Sequence, residues 1–340
     1  MPPPCCWEPP SWGSWPPRSP TWLSTGSRSG YNRRDGTRRN EGGTPVKPYS
    51  VSFGGIPDKY SGWKNSAFVV IPFPIDFTTT YMAGARNGPR AIIEASGHME
   101  LFDEENKIEP YRAGIFVSPE IPSLTSPLAM LKAVEKRVNA VLRVGKFPVL
   151  LGGEHSGTCG AVTALRKRYE DLTVIQFDAH ADLRDSYLGT PWNHACVGRR
   201  MVDAGAKLVQ VGVRSISEEE DRYLRKAETI KTFYASEMRD NLADVTRGIV
   251  SSLSGNVYIS IDLDCFDPGI MPAVGTPEPG GLSWFEAIDI LRDVMRADCN
   301  VVGFDIMELS PIPGMVAPDF FAARLCYRLM GWILARREEK

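Results

Sequence analysis

The stretch VIQFDAHADLRD, residues 174–185, stays apolar as far as Phe177 and then crowds Asp178, His180, Asp182 and Asp185 together. A short run rich in β-branched residues that ends in acids reads as a buried strand opening onto a polar end. The same texture recurs from about Val46 onward. SAFVVIPF, FPVLLGG, AKLVQVGVRS, ETIKTFY, NVYISIDLD and NVVGFDIMEL read as further strands. Between them lie helical stretches: SPLAMLKAVEKRVNAVLRVG, SGTCGAVTALRKRYE, SEEEDRYLRKA, MRDNLADVTRGIVSSLSG and SWFEAIDILRDVMRA. Alternation of this kind, with nearly continuous apolar strands, predicts an α/β fold whose parallel sheet is covered on both faces. Helix punctuation agrees. Ser283 and Glu286 make a capping box, Gly145 closes the helix before FPVLLGG, and Pro89 fits a first turn.

With 340 residues, 43% hydrophobic and 24% charged, the chain is long enough for a sizeable core. Residues 46–340 read as one α/β domain. Residues 1–45, which include MPPPCCWEPPSWGSWPPRSPTW and SRSGYNRRDGTRRNEGG, lack helical or strand periodicity. They read as a disordered Pro/Arg/Gly-rich extension. A formal net charge of −2 leaves no electrostatic footprint for nucleic acid or an anionic membrane. No apolar run reaches the about 20 residues of a membrane helix. The 7 cysteines have no metal-finger spacing and read as reduced thiols of a cytoplasmic protein.

Ligand sites of open parallel sheets form beyond the carboxyl ends of the strands. Three segments place acids or histidine there: PVLLGGEHS with His155, TVIQFDAHAD with Asp178, His180 and Asp182, and VYISIDLDCFDP with Asp262 and Asp264. Strand alternation lets Asp178, His180 and Asp182 point one way, and likewise Asp262 and Asp264. Four ionised carboxylates in one cleft repel one another strongly. Two divalent cations cancel that charge and use both imidazoles as neutral ligands. Oxygen-rich coordination with some imidazole favours Mn²⁺ over a thiolate-loving metal, with Ni, Co, Fe and Zn as other divalent candidates.

GGEHS, DAHAD, SIDLDCFDP and DIMELSP, in that order, resemble the ureohydrolases, the family of arginase and agmatinase. The likeness covers roughly residues 48–335 and includes YMAGARNGPRAI. It implies a doubly wound, three-layer α/β/α fold and a dinuclear manganese site. His155 and Asp182 would hold one ion and His180 and Asp264 the other, with Asp178 and Asp262 bridging. The family's usual assemblies imply a homo-oligomer, a trimer or a hexamer. The chemistry required is severe, because a guanidinium stays charged below a pKa of about 12. Paired divalent ions lower the pKa of shared water from 15.7 towards about 7, which provides a nucleophile at neutrality. His194, in YLGTPWNHACVGRR, matches the family's proton donor, and Glu308 matches the carboxylate that grips the guanidinium. Thr276, in GTPEPGG, is implied as a substrate contact.

The loop LRDSYLGTPWNHA looks closer to agmatinases than to arginases. Agmatine ends in an ammonium, which Asp185 would suit, and its hydrolysis gives putrescine and urea for polyamine biosynthesis. Arg184 cuts the other way and would suit guanidinobutyrate. Aminopropylagmatine, guanidine and arginine complete the alternatives within the family. Outside it stand a metal-dependent deacetylase, whose usual single zinc favours a more histidine-rich pattern, and a silent binding or regulatory subunit. Other residues read as structural: His98 and Cys265 by context, Glu154 as structural or as a support behind the ligands, Asp267 as a turn residue that could also orient ligands, and Glu218 to Asp221 as a helix-start acidic run, while Asp185 reads equally as a solvated loop charge. Gly157 departs from the family's branched apolar residue, and is expected to loosen packing behind His155 or reshape the pocket.

Overall fold

The computed structural model describes residues 52–253 and 255–338, together with the dipeptide strands Gly30–Tyr31 and Arg38–Arg39, which pair antiparallel. The expectation for the rest of residues 1–45 falls outside the described residues. The main sheet contains β1 (Phe68–Phe73), β2 (Ile115–Val117), β3 (Phe147–Gly152), β4 (Leu172–Phe177), β5 (Lys207–Val213), β6 (Ile230–Tyr234), β7 (Asn256–Asp262) and β8 (Asn300–Met307). Its strand order is β2-β1-β3-β8-β7-β4-β5-β6, and every pairing is parallel.

Both faces are covered. Along β1, Phe68 and Val70 enter one core while Val69, Ile71 and Phe73 enter the other. The first core also takes residues from α1 (Gly88–Ser96), α6 (Ala235–Ser251), α7 (Trp284–Arg296) and α8 (Ala317–Glu338). The second takes residues from α2 (Pro127–Arg143), α3 (Gly157–Arg166) and α4 (Val197–Asp203). Each large apolar side chain removed from water contributes about 1.5–3 kcal/mol, so the strands are anchored on both sides. Strands that are apolar throughout are the sequence counterpart of this double coverage.

The predicted punctuation is present. Ser283 and Glu286 form a reciprocal capping box, Pro89 lies in the first turn of α1, and Gly145 closes α2 with φ 72°. α5 (Glu218–Leu224) begins on a second capping box, Ser217 with Glu220. Three elements escaped the sequence reading, one of them α4, which has only 7 residues. β2 has only 3 residues, too few for a pattern. α8 buries Leu325, Leu329, Trp332 and Ile333 along with smaller residues on several sides, which erases the amphipathic period. Among the described residues, no helix is long and apolar enough to cross a membrane.

Gly157 opens α3 and does not loosen the core. A Cβ placed there would meet Phe73 Cδ1 at 2.7 Å and Met307 Cε at 3.2 Å. The Phe73 ring already occupies the space that a branched side chain would take. Gly157→Val should therefore destabilise the fold by about 1–3 kcal/mol through overpacking. An unchanged midpoint in denaturant unfolding would contradict this.

Candidate metal centre

Four neighbouring strands, β3, β8, β7 and β4, occupy the middle of the sheet, where the winding reverses. His155 follows β3, Asp178 to Asp182 follow β4, Asp262 ends β7, and Glu308 follows β8. All lie at the carboxyl ends, where parallel sheets bind ligands. Convergence does not come from strand alternation, however. β4 stops at Phe177, and Asp182 has a left-handed backbone with φ 52°. Asp264 lies in a tight turn that Asp262 caps, its Oδ1 accepting from the Asp264 N–H at 2.9 Å. Turns, not a continued pleat, bring these acids together.

Asp178 stands at the centre with no exposed surface. Its Oδ2 lies 3.1 Å from His155 Nδ1 and its Oδ1 lies 3.7 Å from His180 Nδ1. Asp262 Oδ2 also lies 3.1 Å from His155 Nδ1, and Asp264 Oδ2 lies 2.9 Å from His180 Nδ1. Two ligand groups result, His155–Asp178–Asp262 and Asp178–His180–Asp264, sharing Asp178. Asp182 Oδ2 stands slightly farther out, 3.7 Å from His155 Nδ1, and lines the same cleft.

The donor set fits divalent ions. Ser260 Oγ donates to Asp305 Oδ1 at 2.8 Å, so its contact of 2.9 Å with His155 Nε2 must use the ring N–H. The Nδ1 lone pair therefore faces carboxylates, and this buried atom has no hydrogen-bond partner. Only a cation, a proton or a metal ion, makes that arrangement tenable. Burial, reinforced by neighbouring carboxylates, pushes Asp182 and Asp262 well above the ordinary aspartate range. At His180 burial opposes the charged form, yet Asp264 and Asp178 overcome it and push the imidazole up to about 11. The cluster holds more negative charge than it can keep without cations.

A polar row crosses the sheet beneath these ligands. Asp305, Ser260, Gln176, Gln210 and Thr232 sit level on β8, β7, β4, β5 and β6. Gln176 donates to Asp178 Oδ2 at 2.7 Å, and Gln210 donates to Gln176 and to the Ala181 carbonyl. Asp305 is fully buried and accepts from Thr158, Tyr258, Ser260 and the Ile261 N–H. Such partners fix the orientation of the ligands they touch.

Glu308 lines the cleft with a left-handed backbone, φ 67°. Its Oε1 accepts from the His155 N–H at 2.6 Å, while burial and Asp262 hold its carboxyl well above the glutamate range. His194 lines the cleft from the opposite loop, with Nδ1 3.3 Å from Thr78 Oγ1. Thr78 is held by the buried carboxylate of Glu154. Burial, and then His180 and His155, lower His194 to about 4, so it is neutral at pH 7. Thr276 and Arg184 also line the cleft, whose volume of about 240 Å³ suits a small molecule.

Asp185 does not reach this cleft. Its side chain is 65% exposed and pairs with Arg200 at 2.7 Å. The helix-start acid Glu220 behaves in the reverse way. Beyond its capping role it is buried, lines the cleft, and accepts from the Leu183 N–H at 2.9 Å, bracing the ligand loop. Asp267 accepts from Gly269 and Gly280 as a turn residue, Cys265 is buried, and His98 is exposed beyond α1.

The model of the Arginase family matches residues 66–331. The chain belongs to the arginase family. It is 40% identical over 280 residues to the N(1)-aminopropylagmatine ureohydrolase of Synechocystis sp., covering 80% of this chain and 90% of that protein. Against the agmatinase of Pyrococcus horikoshii it is 36% identical over 273 residues, 79% of this chain and 92% of that one. The crystal structure of agmatine ureohydrolase of Thermoplasma volcanium superposes with a TM-score of 0.77 at 33% identity, covering 86% and 97% of the two chains. This chain is thus an arginase-fold hydrolase of the ureohydrolase class, a family that acts on guanidino compounds.

Asp178→Ala should lose both ions together, because one side chain serves both groups; normal metal content by elemental analysis would contradict its shared role. Metal uptake at pH 7 should also release protons, since His180 carries one below about 11 and a metal ligand must be neutral. Apparent affinity then rises with pH. Calorimetric titration in buffers of different ionisation enthalpy reads the protons directly, and buffer-independent heats would refute the statement.

Proposed function

We propose that this enzyme hydrolyses agmatine to putrescine and urea, with two manganese ions held by His155, Asp178, His180, Asp182, Asp262 and Asp264. The observation that carries the reading is that ligand groups sharing Asp178 open into the same small cleft as Glu308 and His194. Bound ions would lower the pKa of water and so provide a nucleophile and counter-charge at neutral pH. The protein supplies the rest. Glu308 is buried beside Asp262 and Glu154, which outweigh the nearby His155 and keep its carboxyl well above the glutamate range; a guanidinium would favour its ionised form. His194, neutral at pH 7, can take the proton that the attacking water gives up and hold it for the leaving amine. Thr78, backed by Glu154, orients the ring that then protonates the leaving amine as the carbon–nitrogen bond breaks.

A second reading, N(1)-aminopropylagmatine as substrate, is favoured by the 40% identity to the Synechocystis enzyme. The tail is not read by Asp185, which is engaged with Arg200. Arg184 stacks on Tyr187, 4.7 Å from the ring centre, and lines the cleft, so guanidinobutyrate belongs in the substrate panel as well. We also place residues 46–340 as the catalytic domain of a cytoplasmic homo-oligomer, trimeric or hexameric, serving polyamine biosynthesis. The buried cysteines Cys159, Cys196, Cys265 and Cys326, which form no disulfide among the described residues, support a reducing compartment.

Urea release from agmatine, aminopropylagmatine, guanidinobutyrate, guanidine and arginine should be measured on the manganese-loaded protein. Agmatine should far exceed arginine. A preference for arginine would overturn the agmatine reading, and a preference for the longer amine would select the second. His194→Ala should cost about 10²–10⁴-fold in kcat with metal content intact; wild-type turnover in that variant would remove His194 from the proton path.

A further inference from the structure

We propose that Arg214 is a positioning residue that locks the Asp264 ligand turn to the Gly275–Gly281 loop beside the cleft. The inference rests on the metal-dependent reading above and adds a residue to it. Gly212, with φ 92°, interrupts the pairing of β5 with β6 between Val211 and Val213. Such a bulge re-aims the residues that follow it. Arg214 emerges over the carboxyl ends of the strands, and its own N–H donates to the Ala179 carbonyl at 2.8 Å. The backbone of Arg214 is therefore tied to the loop that carries Asp178 and His180.

Its guanidinium ties down the other two segments. Nη2 donates to the carbonyls of Asp264 at 2.6 Å and Glu278 at 2.8 Å, and Nη1 to those of Gly212 at 3.1 Å and Cys265 at 3.4 Å. Nε reaches the carbonyl of Pro279 at 3.1 Å. One side chain thus joins the turn of a metal ligand to the loop that carries Thr276. That loop also faces the metal side, since Glu278 Oε1 lies 3.9 Å from His180 Nε2. The acceptors beyond its own strand are main-chain carbonyls spread over two segments. A planar fork of five donors can span them, whereas the compact ammonium of lysine cannot.

Arg214→Lys in the full chain keeps the charge and removes the fork. Manganese binding, read by the signal of the free ion, should show one ion per subunit held as in the wild type. The other, at His180 and Asp264, should be held about 10–100-fold more weakly, with kcat reduced by a similar factor. The circular dichroism and the melting temperature of the metal-free protein should change little. Two ions bound at wild-type affinity with unchanged kcat and KM would overturn the proposal, as would a uniform loss of both. Should the lysine variant fail to fold, Asp267→Ala removes both acceptor oxygens and so releases the same loop at Gly280 from its other side. It should weaken the same single ion, and wild-type binding there would refute the clamp. Wild-type protein that binds fewer than two ions would instead defeat the dinuclear reading itself.

Discussion

Asp178 lies fully buried between two imidazoles, presenting one oxygen to each. Around it Asp182, Asp262 and Asp264 bring further negative charge into a volume from which water is largely excluded. Removing one carboxylate from water is costly, and gathering four is worse, unless positive charge enters with them. The whole carboxyl end of the sheet is arranged around that requirement. His155 has a buried nitrogen aimed at the acids without a hydrogen-bond partner among the described residues, which is the local signature of the same demand.

Holding such a cluster calls for a scaffold more rigid than its loops. The sheet provides it through two hydrophobic cores and through the level row of Asp305, Ser260, Gln176, Gln210 and Thr232 beneath the ligands. A buried polar network of this kind tolerates little slack, because each unpaired member would cost more than an apolar residue in its place. Above the row, Asp182 and Glu308 adopt left-handed backbone conformations that side-chain-bearing residues usually avoid. Conformations of that sort persist only where surrounding contacts fix them, and they gather at functional sites. Beside Asp182, Glu220 accepts from the Leu183 N–H and the Asp182 carbonyl accepts from the Arg199 N–H, while the Glu308 N–H donates to the Gly153 carbonyl.

Much of this was legible in the sequence, for specific reasons. Strands buried on both faces read as nearly unbroken apolar runs, so β1, β3 to β5, β7 and β8 could be anticipated, whereas the three residues of β2 could not. The ligand set was legible because acids and histidines at strand ends are rare and carry a clear electrostatic meaning. Its geometry was not. Alternation along a strand would have brought Asp178, His180 and Asp182 to one face, but the strand ends first, and a left-handed turn does the work. Asp185 read in sequence as either a solvated loop charge or a substrate contact, and only the fold shows it exposed and paired with Arg200. Glu220 and Arg214 carry no motif, since their roles depend on partners 37 and 50 residues away that sequence spacing does not reveal. Gly157 was misleading in another way, because Phe73 fills the space it leaves.

The most direct test of the account is anomalous diffraction from crystals of the active, manganese-loaded protein. The arrangement around Asp178 predicts two peaks flanking that carboxylate, one beside His155 Nδ1 and the other beside His180 Nδ1. A lone peak, or two peaks away from Asp178, would contradict it.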